Sequence, residues 1–196
     1  MRSTDTLAAD LAKIFGQRMR MLAVFGNNTH TCAVVDNLTL EDLDRCAAMD
    51  VQWKQLQLET PLFLLESDLP RALDAFPLEL SEIIATREIV AGTDVFAALS
   101  ISKADLRRAC EVQARAHVMH LREGYIEAAG DTHAVDSLVA AAAQAFRALL
   151  INAARLDDAT PQALATGLSI TDFESGFPGA LRSAERLVEY VDRWAR

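Results

Sequence analysis

Two short apolar runs separated by six residues constrain this chain more than any other feature. Met21-Leu22-Ala23-Val24-Phe25 and Cys32-Ala33-Val34-Val35 are each too short for a core helix and end in residues that suit a pleated backbone. Between them stands Gly26-Asn27-Asn28-Thr29-His30-Thr31. Gly and Asn accept a positive φ, so this stretch predicts a tight hairpin turn between two buried strands. Around the hairpin, helical and strand signals alternate. Thr4 to Gly16 predicts a helix with Leu7, Leu11 and Ile14 on one face and Gly16 closing it. Thr39 followed by Asp42 predicts a capped helix start, continued on one side by Leu40, Leu43, Ala47 and Val51. Leu62 to Leu65 predicts a third strand with Pro61 at its tolerated beginning. Ser67-Asp68 opens a short helix to about Ala75. The Leu78/Leu80 alternation makes Pro77 to Ile84 the expected fourth strand.

From Ser102 the period becomes helical throughout. Ser102-Lys103-Ala104-Asp105 repeats the capping pattern and opens a helix to about Ala129, stopped by Gly130. Asp131 caps the next, to about Leu156. Thr160-Pro161 starts a short third that Gly167 ends, and Pro178 to Trp194 forms a last one. The Ala-rich stretch Val139 to Ala145 allows close helix approach. The expected fold is therefore α+β: a small mixed sheet with flanking helices over residues 1–100, then a helical bundle over 101–196.

Charge narrows the partners. The chain carries −9, with eight basic against fifteen acidic residues in 1–100 and eleven against thirteen in 101–196. Such a surface repels phosphate backbones, so a nucleic-acid partner is not expected. Lys103, Arg107, Arg108, Arg115 and Arg122 could form a local basic patch. Asp105, Glu111 and Glu123 interrupt it, and a solvated helix face is the expected outcome. Cys32, Cys46 and Cys110 are odd in number and widely spaced, which suits small buried hydrophobes in a reducing cytoplasm. No signal-like start is seen, and no run of roughly 18 uncharged apolar residues is expected to cross a membrane.

The longer pattern resembles the polymerase-β-type nucleotidyltransferase superfamily, and more closely its bacterial nucleotidyltransferase-like proteins. The residues that carry the resemblance are Gly26 after the first strand, Leu38-Thr39-Leu40-Glu41-Asp42-Leu43, Thr60-Pro61-Leu62-Phe63-Leu64, Phe76-Pro77-Leu78-Glu79-Leu80, Gly92-Thr93-Asp94, and Glu123-Gly124-Tyr125 through Asp131. Active members carry Gly-Ser after the first strand, an Asp-x-Asp pair on the next, and a third carboxylate on a neighbouring strand. Two Mg²⁺ ions need clustered oxygen ligands of this kind. In this chain Asn27 follows Gly26. Counted back from Leu38, the paired carboxylate positions fall on Thr29 and Thr31, and Glu79 matches the third. A neutral hydroxyl does not hold a divalent pair. The nearest acid, Asp36, lies roughly 17 Å along an extended strand from Thr31. The resemblance thus implies the fold with a degenerate active site: no catalytic residue, no cofactor, and Gly26, Asn27, Thr29, Thr31 and Glu79 as candidate ligand contacts. Two rivals stand beside it. One is a Mg²⁺-dependent enzyme whose metal site is rebuilt from Asp36, Glu79 and Glu82. The other is a helical interaction module over residues 103–156, or a homo-oligomer.

The remaining candidates are weaker. His117 and His120 share one side of a helix and would need Glu123 or His133 to complete a metal site. His30 is expected at the surface. Trp53 and Trp194 each end an expected helix, where they would cover core edges. No nucleophile motif, P-loop or dinucleotide fingerprint is present.

Overall fold

The structure, a computed structural model, describes residues 3–26, 30–170, 173 and 175–194. The chain divides into two compact units, Met1–Ile101 and Ser102–Arg196. In the first, α1 (Ser3–Phe15) leads through one 3₁₀ turn into β1 (Met19–Phe25), and β2 (His30–Val35) returns beside it. Then follow α2 (Leu40–Gln55), β3 (Leu62–Leu65), α3 (Leu69–Ala75), α4 (Pro77–Thr86) and β4 (Glu88–Gly92). The strands form one mixed sheet in the order β3-β2-β1-β4, with β2/β3 parallel and both β1 pairings antiparallel. This is the α+β architecture the sequence implies.

β1 and β2 are apolar on both sides because helices cover both faces. On one, Leu22, Ala33 and Val35 pack with Leu7, Leu11 and Phe15 of α1 and Cys46 and Trp53 of α2. On the other, Met21, Ala23, Cys32 and Val34 pack with Leu69, Leu80, Ile83 and Phe96. The register of β1 against β4 shifts between Leu22 and Ala23, a bulge. Just beyond, Gly92 has φ +81°, and a Cβ there would sit 2.0 Å from the Arg20 carbonyl oxygen. No side chain fits that close approach.

Four expectations are corrected. Pro77 to Ile84 is a helix, α4, with Pro77 in its first turn and Pro77, Leu80, Ser81 and Ile83 buried. Their i, i+3, i+4 spacing outweighs the Leu78/Leu80 alternation, and Pro is at home where a helix begins. The fourth strand lies further on, at Glu88–Gly92. Leu40, Leu43, Ala47 and Val51 are exposed, and α2 instead turns Asp42, Cys46 and Trp53 inward. The inward face of α2 carries an acid because Asp42 receives two bonds from Arg18, at 2.7 and 2.8 Å, and two from Thr39 in a capping box. Trp53 is fully buried, with its indole N–H 3.3 Å from Asp10 Oδ2, so it lies within the core and not at its edge.

The second unit holds α5 (Lys103–Glu127), α6 (Thr132–Ala154), α7 (Pro161–Gly167) and α8 (Phe177–Arg193). α5 packs against both α6 and α8. Ser102, Asp131 and Thr160 cap their helices as expected. Small residues line the contacts: Ala114, Ala143, Ala153, Ala154, Gly179, Ala180, Ser183 and Ala184 are buried. The fourth correction concerns Thr132–Asp157, which is long and apolar enough by length and composition to cross a membrane, with mean hydropathy 1.5. Its Phe146, Leu149 and Leu150 are buried, and 28% of the apolar stretch is buried in all.

Candidate functional site

The end of the sheet at the Gly26 turn gathers the chemistry of the first unit. Gly26 takes φ +58° at the end of β1, as a hairpin requires. Its amide donates to Thr86 Oγ1 at 3.0 Å, so this N–H is bound within the protein and not presented to a ligand. Thr86 in turn donates to the Glu82 carbonyl at 2.8 Å. Asn27 and Thr29 lie outside the described residues.

Thr31 is paired with Val24, and Val24 with Glu88, so the three form one row across β2, β1 and β4. Residues directly opposite one another share a face of the sheet. Thr31 is 5% exposed, and its hydroxyl finds no hydrogen-bond partner among the described residues. An unmatched buried hydroxyl costs about 1–3 kcal/mol. Beside this row opens a cavity of about 750 Å³, lined by Ser3, Thr4 and Asp5 of the first turn of α1, by Val24 and Glu88, and by Gln57. Its size is that of a small-molecule pocket and its rim is polar. His30 projects from the same end of β2, its Nδ1 2.6 Å from Glu59 Oε2 and its ring centroid 5.4 Å from that of Phe25.

The other expected residues stand apart. Glu79 is exposed in the first turn of α4. Asp36, at the far end of β2, is paired with Arg20, which also reaches Glu66 at 3.1 Å. Among the described residues no three His, Cys, Asp or Glu side chains form a group able to hold a metal ion. Asp36, Glu79 and Glu82 therefore do not converge, and neither do His117 and His120 with Glu123 or His133. His117 is half-buried, its ring 6.0 Å from that of Phe146. Burial first, then the neighbouring His120, push its pKa down. Burial also pushes the Cys32 and Cys110 thiols up to about 12, which keeps them inert. The five basic residues of α5 are each ion-paired: Lys103 with Asp158, Arg107 and Arg115 with Glu111, Arg108 with Asp105, and Arg122 with Glu185.

Sequence reasoning missed Glu88, Asp5 and Gln57. Glu88 opens the strand Glu-Ile-Val-Ala-Gly, whose short apolar run was a readable signal once Pro77 to Ile84 is assigned to a helix. Asp5 and Gln57 reach the cavity through the placement of α1 and the end of α2, which no local pattern reveals.

The fold is that of a nucleotidyltransferase. A spectinomycin adenyltransferase from Enterococcus faecialis, solved with ATP and spectinomycin, is similar over 97% of this chain and 98% of its own, with TM-score 0.50 and 9% sequence identity. No family model matches the chain, and no curated protein matches it. At that identity the likeness concerns architecture.

Proposed function

We propose that this protein uses a nucleotidyltransferase-like fold to bind a small polar ligand at the Gly26 end of its sheet without transferring a nucleotide. The observation that carries the reading is Thr31. At the start of β2 the chain places a neutral, buried hydroxyl with no partner among the described residues, and the acid that follows this strand, Asp36, is held by Arg20 at the opposite end. A two-metal transfer needs anionic oxygens clustered around the reacting phosphate. A single hydroxyl in one row with Val24 and Glu88, beside an open polar cavity, suits recognition of a neutral or cationic group instead. The structural neighbour's ATP and spectinomycin supply the first compounds to try.

Two measurements test this. Incubation with Mg²⁺, each nucleoside triphosphate and spectinomycin should release no pyrophosphate above background; release would overturn the reading. A melting scan over polar amines, sugars and nucleotides should find a stabilising ligand, since saturation at about 100 times the dissociation constant adds about 2.7 kcal/mol. Thr31→Val should raise the intrinsic stability by about 1 kcal/mol, by removing the unmatched hydroxyl, and weaken that ligand. Undiminished ligand binding in T31V would remove Thr31 from the site.

A further inference from the structure

We propose that the cavity at the Gly26 end of the sheet takes an aliphatic diamine or polyamine, and that Gln57 is the side chain that selects it; this rests on the reading of that cavity as a ligand site. Gln57 stands where α2 stops. Its amide donates to the Lys54 carbonyl at 3.0 Å and the Leu58 amide to the Trp53 carbonyl at 3.0 Å, the paired bonds that close a helix around a left-handed residue. Gln57 is that residue, with φ +59°. Glycine adopts this conformation without steric cost and is the usual occupant. A glutamine here is therefore a local destabilisation. Its side chain is exposed and makes no hydrogen bond among the described residues, so it adds nothing to the fold that would offset that cost. Ala129, Asp158 and Ser169 also take a positive φ, but none of them lines the cavity, and Gln57 does.

The walls of the cavity define the ligand. Val24, Leu58 and Ile89 offer apolar surface, and the charged lining residues are Asp5 and Glu88. No described lysine or arginine joins them. Asp5 sits in the first turn of α1, where it answers the positive end of that helix. Glu88, exposed at the start of β4, makes no side-chain hydrogen bond or ion pair among the described residues. The chain as a whole carries −9, so the cavity opens in a field that draws cations. A bare metal ion does not fit, since no three ligating side chains gather among the described residues. An ammonium group does. It carries three N–H donors, and Glu88 with the Gln57 side-chain carbonyl supplies a charged and a neutral acceptor. The methylenes that join two ammonium groups suit the valine, leucine and isoleucine walls. Thr31, in one row with Val24 and Glu88, adds a buried hydroxyl without a partner among the described residues.

Putrescine and spermidine are the probes, with 1,4-butanediol as the uncharged counterpart of putrescine. Melting scans and titration calorimetry of the full chain should show binding of at least one amine and none of the diol. Gln57→Gly should raise the melting temperature of the unliganded chain by about 2 °C and weaken the amine about fivefold. Gln57→Met keeps the side-chain length and the left-handed cost, so it should leave the melting temperature unchanged and weaken the amine as much. Glu88→Gln should weaken it about tenfold, and Glu41→Gln, at an exposed acid outside the cavity, should not. Amine binding that Q57G and Q57M leave intact overturns the proposal while the cavity keeps its role. Equal weakening by E41Q and E88Q also overturns it, as that marks diffuse attraction to an acidic surface. So does a chain that binds neither amine but is stabilised by another compound whose binding T31V abolishes. A chain that binds no compound at all removes the ligand site itself, and this proposal with it.

Discussion

The two units solve the problem of specificity by different means. The sheet unit ties distant segments together through buried acids: Arg18 to Asp42 across 24 residues, and Trp53 to Asp10 across 43. The helical unit seals in almost none of its charge. Alanine, glycine and serine stand among Leu121, Phe146 and Leu187 in its interior, and its ion pairs lie along the outside. One unit is therefore sensitive to losing a charge, the other to gaining volume. Buried polar bonds fix which segments meet because a wrong pairing leaves groups unmatched. Small residues fix how near two helices come.

The comparison can be broken most sharply at Asp42. Asp42→Asn should give the largest loss in chemical denaturation, since it removes the charged acceptor of the two Arg18 bonds and leaves that guanidinium with Asn37 and the Ile14 carbonyl. The Arg18 bonds, with those of Thr39, hold the Asp42 carboxyl well below the usual range. A depressed carboxyl stabilises the fold above its unfolded value of about 4 and loses that contribution as pH falls toward the folded value. D42N should accordingly flatten the acid limb of the stability curve. Next in size is Ala184→Leu in α8, a fully buried position where overpacking should cost about 2 kcal/mol. A tolerated leucine there would end the claim that the helical unit is limited by volume. The smallest effect belongs to His117, the half-buried exception among the outer charges of that unit. Its pKa is lowered in the fold, so stability should decline as pH drops below about 6.5, where the unfolded imidazole takes up a proton first. His117→Gln should remove that slope, worth less than about 1 kcal/mol near pH 5.5.

The sheet unit was legible where burial is two-sided. β1 and β2 read as unbroken apolar runs because helices cover both their faces, and the caps at Thr39, Ser102 and Asp131 announce themselves by residue type and spacing. Reading failed where two periods compete over a few residues, at Pro77 to Ile84. It failed on α2 as well, where the apolar line faces out and a paired acid faces in. Hydrophobicity alone cannot foresee that Arg18 will be waiting for Asp42. At the candidate site, Thr31 is singled out by counting back from the Leu38–Leu43 motif that carries the resemblance. The cavity depends on α1 and the end of α2 arriving from more than 20 residues away, and no local pattern records such an arrival.

The bulge beside Gly92 has a bearing on how these molecules meet one another. β4 forms one margin of the sheet, and its kinked pairing with β1, locked by the approach of Gly92 to Arg20, twists that margin out of line for a further strand. β3, the other margin, offers four residues. Backbone recruitment from a neighbour is thereby discouraged on both sides of the sheet.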